Sequence, residues 1–422
     1  MDDSQPTTCD PEACRRRRRR RGRKTRPAII KENLVGPANL EVLQEHLGRL
    51  REAYDHPNRR LHLDNLFVAM LYAFFNPTCR SLRTLEGLGK VCQEEIGVDR
   101  LCRSTTSDAL AAFDPQLLLP IIQDLRKKLP ALQRANADLD QIVRQVVAAD
   151  GSYFNIYADV LWAIHLTRRN GRNAAQIRLN FQLDVRDWTP MGLSISGKAE
   201  GSESAAVRAD LLSEVIYVLD RNFIDFDFLG TVLAQDSDFV VRCRSNAPNF
   251  DPRQERPLSE RDRREGVLQD RLGTLPGRNA PGGTFRELVL RDPQSGQCIR
   301  ILTSLLEMPA YLLGLLYRHR WQIELFFRWL KVWGNFEHLI SHSPAGVTTQ
   351  FYVAVIGVLL IHVSTGHRVS KYAVSLLSFV AAGQATYQDI LPTLEKRERE
   401  KRLERERRAR KRAQEQANKN EQ

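Results

Sequence analysis

From residue 142 the sequence changes character, and the order of segments beyond that point constrains the fold more than any other feature. Ile142 to Ala149 is a β-leaning run that ends in Asp150-Gly151-Ser152. Ile177–Val185 and Met191–Ile195 are also strand-like, separated by a turn over Arg186–Pro190. A helical segment, Ser204–Ser213, leads to the apolar run Val215–Leu219, which ends at Asp220. Phe239–Arg242 is a further strand. The order β-β-β-α-β predicts an α/β core: an antiparallel meander, then a strand added after a crossover helix.

Residues 245–283 lose this periodicity and are rich in Arg, Asp, Pro and Gly. Two strand-like runs follow, Phe285–Leu290 and Cys298–Leu302, with a turn over Asp292–Gly296 between them. The stretch of about 243–306 therefore reads as a β-rich insertion. Its arginines Arg256, Arg261, Arg263 and Arg264 read first as a solvated loop, with DNA contact as the alternative. Helix resumes at Pro309 and runs to about Trp333, and a second helix covers Gln350–Val363.

Ahead of this core, residues 39–132 read as helical. Leu40, Leu43, Leu47 and Leu50 recur at helical spacing. Asp64 is placed to cap an apolar helix ending at Phe75, and Ser104 or Thr105 to cap another through Phe113. Pro115–Leu132 is one more helix or a helix pair. The expected organisation is a tail (1–28), a helical N-terminal domain (29–140), an α/β domain (141–370), a short helical segment (371–394) and a charged helical tail (395–422). The N-terminal helices suit DNA-end recognition or plain packing.

The net charge of +12 is concentrated at the two ends. Residues 1–28 contain seven consecutive arginines, Arg15–Arg21, and carry +6; residues 395–422 carry +5. The rest of the chain is nearly neutral, so the tails supply the non-specific attraction to a polyanion. In the C-terminal tail Glu398–Arg402, Glu404–Arg408 and Glu406–Arg410 are spaced as i,i+4 pairs on an exposed helix. Seven scattered cysteines form no CxxC pair and no zinc-like spacing, which argues against a disulfide framework and for a reducing, cytoplasmic compartment. The longest apolar run, Phe351–Ile361, is shorter than the ~20 residues of a membrane span and reads as a buried helix. No partner role for a membrane is expected.

Two features carry chemistry. Asp150 and Asp220 each follow an apolar strand, and these strands can lie side by side. A hydrogen-bonded turn explains either one alone; together they form a site for hard divalent cations. The second feature is the helix around Tyr317, Arg320, Glu324 and Lys331. At 100° per residue these four share one narrow polar stripe, beside an apolar arc of Leu316, Ile323, Phe327 and Leu330. Taken alone, Arg320 and Glu324 are an i,i+4 ion pair.

The spacing Y-x2-R-x3-E-x6-K over Tyr317, Arg320, Glu324 and Lys331 resembles the signature of IS4-type (DDE) transposases of bacterial insertion sequences. Asp150-Gly151-Ser152 and Leu219-Asp220-Arg221-Asn222-Phe223 resemble that family's first and second catalytic segments, with Asn222 where glycine is commoner. The resemblance spans about residues 80–365. It implies an RNase H-like catalytic core in which Asp150, Asp220 and Glu324 hold two Mg²⁺ ions, with Mn²⁺ as a substitute. Asp150 would bridge the two. It implies phosphate binding by Tyr317, Arg320 and Lys331, and cut-and-paste transposition: cleavage at transposon terminal inverted repeats, then strand transfer into target DNA by a homodimer. Trp188, Trp321 and Trp333 are candidates for stacking on a flipped base, or for packing. The alternatives are an RNase H-like nuclease that does not join strands, and an idle, domesticated DNA-binding protein.

Overall fold

The computed structural model describes residues 37–53, 61–76, 79–87, 101–129, 144–155, 165–169, 172–186, 189–196, 202–244, 248–291, 296–333, 339–365, 371–381 and 387–420, with a few isolated positions between. The arginine tract and Trp188 fall outside them.

The centre is three short parallel strands. β1 (Val146–Asn155), β5 (Ile216–Leu219) and β6 (Asp238–Arg242) lie side by side, with Ala149 opposite Leu219 and Leu219 opposite Val241. Their residues are apolar on both faces, as strands covered on both sides must be. Val146, Ala148, Ile216, Val218 and Val240 enter one core, while Val147, Ala149, Tyr217, Leu219, Phe239 and Val241 enter the other. On the far side of β1 run β3 (Arg172–Asp184) and then β4 (Thr189–Ser196), both antiparallel to their neighbours. β2 (His165–Arg169) pairs with the first half of β3 and was not anticipated from sequence. Beyond β6 the sheet continues as β10 (Cys298–Thr303), β9 (Phe285–Arg291), β8 (Val267–Thr274) and β7 (Asp251–Glu255). The whole is one ten-stranded mixed sheet.

Helices clothe both faces. The N-terminal set comprises α1 (Pro37–Glu52), α2 (Leu63–Phe75), α3 (Leu82–Gly87), α4 (Arg103–Ala112) and α5 (Leu119–Lys127). Neither expected cap operates there. His62 and Cys102 stand at the N-caps of α2 and α4 without side-chain bonds, and Asp64 is buried inside α2, where Arg51 reaches it at 3.4 Å. α6 (Glu203–Arg208) starts at a Ser202 cap and leads to β5; α7 (Phe226–Ala234) links β5 to β6. α8 (Glu260–Arg264) precedes β8. The helix expected over 309–333 is two helices, α9 (Ala310–His319) and α10 (Trp321–Trp333), joined by a turn at Arg320.

α11 (Pro344–Thr365) is long and apolar enough to span a bilayer, yet it is buried along most of its length. It packs against α2, α4, α5 and β4. Through it the N-terminal helices and one face of the sheet share a single hydrophobic core. α12 (Lys371–Ala381) and the 34-residue α13 (Tyr387–Asn420) complete the chain. In α13, Arg397 pairs with Glu400 at 3.1 Å; the side chains of Glu398, Arg402 and Arg408, half of the expected i,i+4 pairs, lie outside the described residues.

Candidate active site

The site forms where the central parallel strands stop. β5 ends at Leu219, and its last pairing with β1 is Leu219 to Ala149. Asp150 comes one residue later in β1 and Asp220 one residue later than β5, so both lie where the parallel pairing ends, on the carboxyl side of β5, where open α/β sheets place their ligands. Asp150 is not a strand terminus, however. β1 runs on to Asn155 along β3, with Asp150 opposite Phe181. Asp220 accepts a hydrogen bond from the Arg221 amide at 2.5 Å and caps the 3-10 turn Arg221–Phe223.

α10 delivers the third carboxylate. Its apolar face is set on the sheet by Phe326, which stacks on Phe181 at 4.9 Å between ring centroids, with Phe327 6.1 Å away. Phe181 is the cross-strand partner of Asp150. The stack therefore fixes the start of α10 beside that carboxylate. The preceding helix is fixed from the other side of the molecule. Arg286 on β9 is almost fully buried, bonds Asp270 at 2.8 and 2.6 Å, and donates to the carbonyls of Leu306 (2.9 Å) and Met308 (2.5 Å) just ahead of α9.

Arg320, at the turn between the helices, is the hub. Its guanidinium lies 2.5 Å from Glu324 Oε1 and 3.7 Å from Asp150 Oδ2. It thus joins two of the three expected carboxylates, and Asp220 is near enough to act electrostatically on both Asp150 and Arg320. Arg320 is 9% exposed, and its Nε is buried without a hydrogen-bond partner. Burial, together with the negative charges of Glu203 and Asp220, outweighs the pull of Arg320 and pushes the Asp150 carboxyl up to about 7.

The polar stripe faces inward instead of toward water. Tyr317 is buried, which raises its phenol pKa, and it feels the charges of Arg320, Arg242 and Asp220. Lys331 is half-buried; its ammonium sits 4.9 Å over the Phe154 ring and is drawn by Asp150, although burial lowers its pKa. All six residues singled out in the sequence therefore belong to one neighbourhood. Trp321 is exposed, and the Trp333 side chain is outside the described residues.

One neighbouring carboxylate escaped the sequence reading. Glu203, the first residue of α6, raises the Asp150 pKa more than Asp220 does. Its own pKa is raised by burial and Asp220 against the opposing pull of Arg178. Only its position near Gly151 reveals it; a lone Glu after a serine cap is otherwise an ordinary helix start.

Among the described residues no three His, Cys, Asp or Glu side chains stand close enough to hold a metal ion as they lie. The donor set still fits a hard divalent cation. It consists of carboxylates, their charge exceeds what one guanidinium can balance, and Mg²⁺ takes only one or two carboxylates when phosphate supplies the remaining oxygens. The orphaned Arg320 Nε is in turn a donor suited to such a phosphate.

The model of the transposase DDE domain matches residues 141–360, just over half of the 422-residue chain. A probable transposase for insertion sequence element IS5377 from Geobacillus stearothermophilus is 26% identical over 174 residues, covering 40% of this chain and 45% of the relative. The putative transposase y4zB from Sinorhizobium fredii is 26% identical over 170 residues, 40% of this chain and 47% of that protein. The chain thus spans under half the length of these curated relatives. Among solved structures, the piggyBac transposase synaptic complex with hairpin DNA aligns over 87% of this chain and 82% of its own, at 10% identity and a TM-score of 0.37.

Proposed function

The chain belongs to the transposase DDE-domain family, and from that premise we propose that it cuts DNA at transposon ends and joins the released 3′ ends to target DNA. The observation that carries this reading is the convergence of Asp150, Arg320 and Glu324, with Asp220 alongside, where the pairing of β1 with β5 ends. The antiparallel meander β1-β3-β4, with β5 and β6 added in parallel on the other side of β1, supports an RNase H-like core. The strands between 251 and 303 are then an insertion that steers α9 into place through Arg286.

In this reading Asp150, Asp220 and Glu324 hold two divalent ions, Mg²⁺ or Mn²⁺. Such ions activate a water or hydroxyl for attack and stabilise the leaving oxygen. Cleavage transfers a phosphorus bond from the 3′-oxygen of the DNA to a water oxygen, releasing a 3′-hydroxyl. Joining transfers a target phosphorus from its own 3′-oxygen to that hydroxyl. The chain's part is to hold the phosphates in line. Arg320 has an N–H without a hydrogen-bond partner to offer a phosphate oxygen. Lys331 and Tyr317 flank it on the same stripe. The DNA partners are the terminal inverted repeats and the target duplex, bound by a homodimer that pairs two ends.

The test is to incubate the full-length protein with duplexes carrying the ends that flank its gene, with Mg²⁺, and to resolve the products on a gel. Nicked or hairpin ends followed by joined product are expected. Nicks with no joined product would favour a nuclease. Asp150→Asn and Asp220→Asn are each expected to abolish cleavage while end binding persists; near-normal cleavage by either would remove that carboxylate from the site.

A further inference from the structure

Arg320 sends its two terminal nitrogens to different carboxylates. Nη2 lies 2.5 Å from Glu324 Oε1 and Nη1 lies 3.7 Å from Asp150 Oδ2. Those carboxylates belong to separate elements, α10 and β1, and the guanidinium is what bridges them. A guanidinium does not shed its charge when buried, so it must take anionic partners where the fold offers them. Arg320 is 9% exposed and has taken two. The space between Glu324 Oε1 and Asp150 Oδ2 is also the space that a cation held by both would need.

The other contacts close the site further. The Gly151 amide donates to Asp150 Oδ1 at 2.8 Å, and the Arg221 amide donates to Asp220 Oδ1 at 2.5 Å. All three carboxylates are therefore engaged by donors of the chain itself. Arg320 alone is left incomplete, because its Nε is buried without a hydrogen-bond partner. Leaving a buried N–H unmet is unfavourable. A phosphate meets a guanidinium with two oxygens side by side, and so can satisfy Nε together with a terminal nitrogen. The bridge between the carboxylates cannot do this, since it spends one nitrogen on each.

We propose that Arg320 is a plug: it fills the cation's place between Asp150 and Glu324, and a DNA phosphate must draw it off before these carboxylates can load metal. Metal loading is thereby gated by DNA. The proposal rests on the metal-dependent reading given above and gives it an order of events.

The test measures Mn²⁺ binding to the full-length protein without DNA, by electron paramagnetic resonance of the free ion. A site open only about a tenth of the time or less binds its ligand more weakly by that same fraction. Arg320→Gln removes the plug and is therefore expected to bind Mn²⁺ about tenfold or more tightly than wild type. Arg320→Lys keeps the charge, but one ammonium cannot reproduce the two-pronged bridge. It should bind Mn²⁺ more tightly than wild type and less tightly than Arg320→Gln, and it decides alone if Arg320→Gln does not fold. Wild-type affinity in Arg320→Lys would reduce the effect to net charge and overturn the plug. Asp150→Asn, made alone and together with Arg320→Gln, separates the plug from the reading beneath it. If Asp150→Asn abolishes binding while Arg320→Gln binds no tighter than wild type, the plug is overturned and the carboxylate site stands. If Asp150→Asn leaves binding unchanged in both backgrounds, the metal site itself is overturned, and the plug with it.

Discussion

At the scale of single residues the site is a contest between burial and charge, and Asp150 records it. Its carboxyl is pushed up to about 7 by burial first, with Glu203 and Asp220 adding to the effect and Arg320 opposing it. Folded Asp150 thus keeps a proton that the unfolded chain has lost above its ordinary value of 3.8. Linkage then requires stability to fall as pH rises from about 4 to about 7. In metal-free buffer the wild-type melting temperature is expected to drop across that window, and Asp150→Asn to flatten the drop. Equal slopes for the two proteins would mean that Asp150 is ionised throughout. The two aspartates could be singled out in the sequence because each follows a β-leaning, largely apolar run. Glu203 could not, because its nearness to Asp150 depends on the packing that sets α6 against Gly151.

At the scale of elements, α10 carries both chemistry and packing, and the two can be separated by substitution. Phe326 is fully buried on Phe181. Phe326→Ala is expected to destabilise the fold by about 3–5 kcal/mol, the usual cost of emptying an aromatic site, and urea unfolding will show it. Lys331 contributes one contact over Phe154, worth about 0.5–1 kcal/mol. Lys331→Ala should therefore leave stability nearly intact while weakening binding to transposon ends about tenfold; wild-type end binding in a gel-shift titration would make Lys331 a packing residue only. The helical period correctly grouped Tyr317, Arg320, Glu324 and Lys331, but it could not show that the stripe faces inward or that the helix turns at Arg320. The strands β7 and β8 were missed for a physical reason. β7 is an exposed edge, and β8 turns Asp270 inward to meet Arg286, so neither shows the apolar alternation that marks a strand.

At the scale of the whole molecule, charge and catalysis are kept apart. Nearly all of the +12 lies in the two terminal stretches, while the site is built from carboxylates. Deleting residues 1–28 is expected to lower non-specific DNA affinity and flatten its salt dependence, by roughly 0.9 in log K per log salt for each phosphate no longer neutralised. Cleavage of pre-bound ends should survive, because Asp150, Asp220 and Glu324 all lie outside the deleted stretch. Equal salt slopes for full-length and truncated protein, measured by fluorescence anisotropy, would assign the attraction to the rest of the chain.

The burial of α11 bears on the order in which the chain can fold. α2 is apolar and buried along its whole length, and a large part of what covers it arrives with residues 344–365. During synthesis the N-terminal helices emerge some three hundred residues before that partner. Until then they remain exposed to chaperones and proteases. A chain ending before residue 344 would lack the helix that covers α2 and could not close this core.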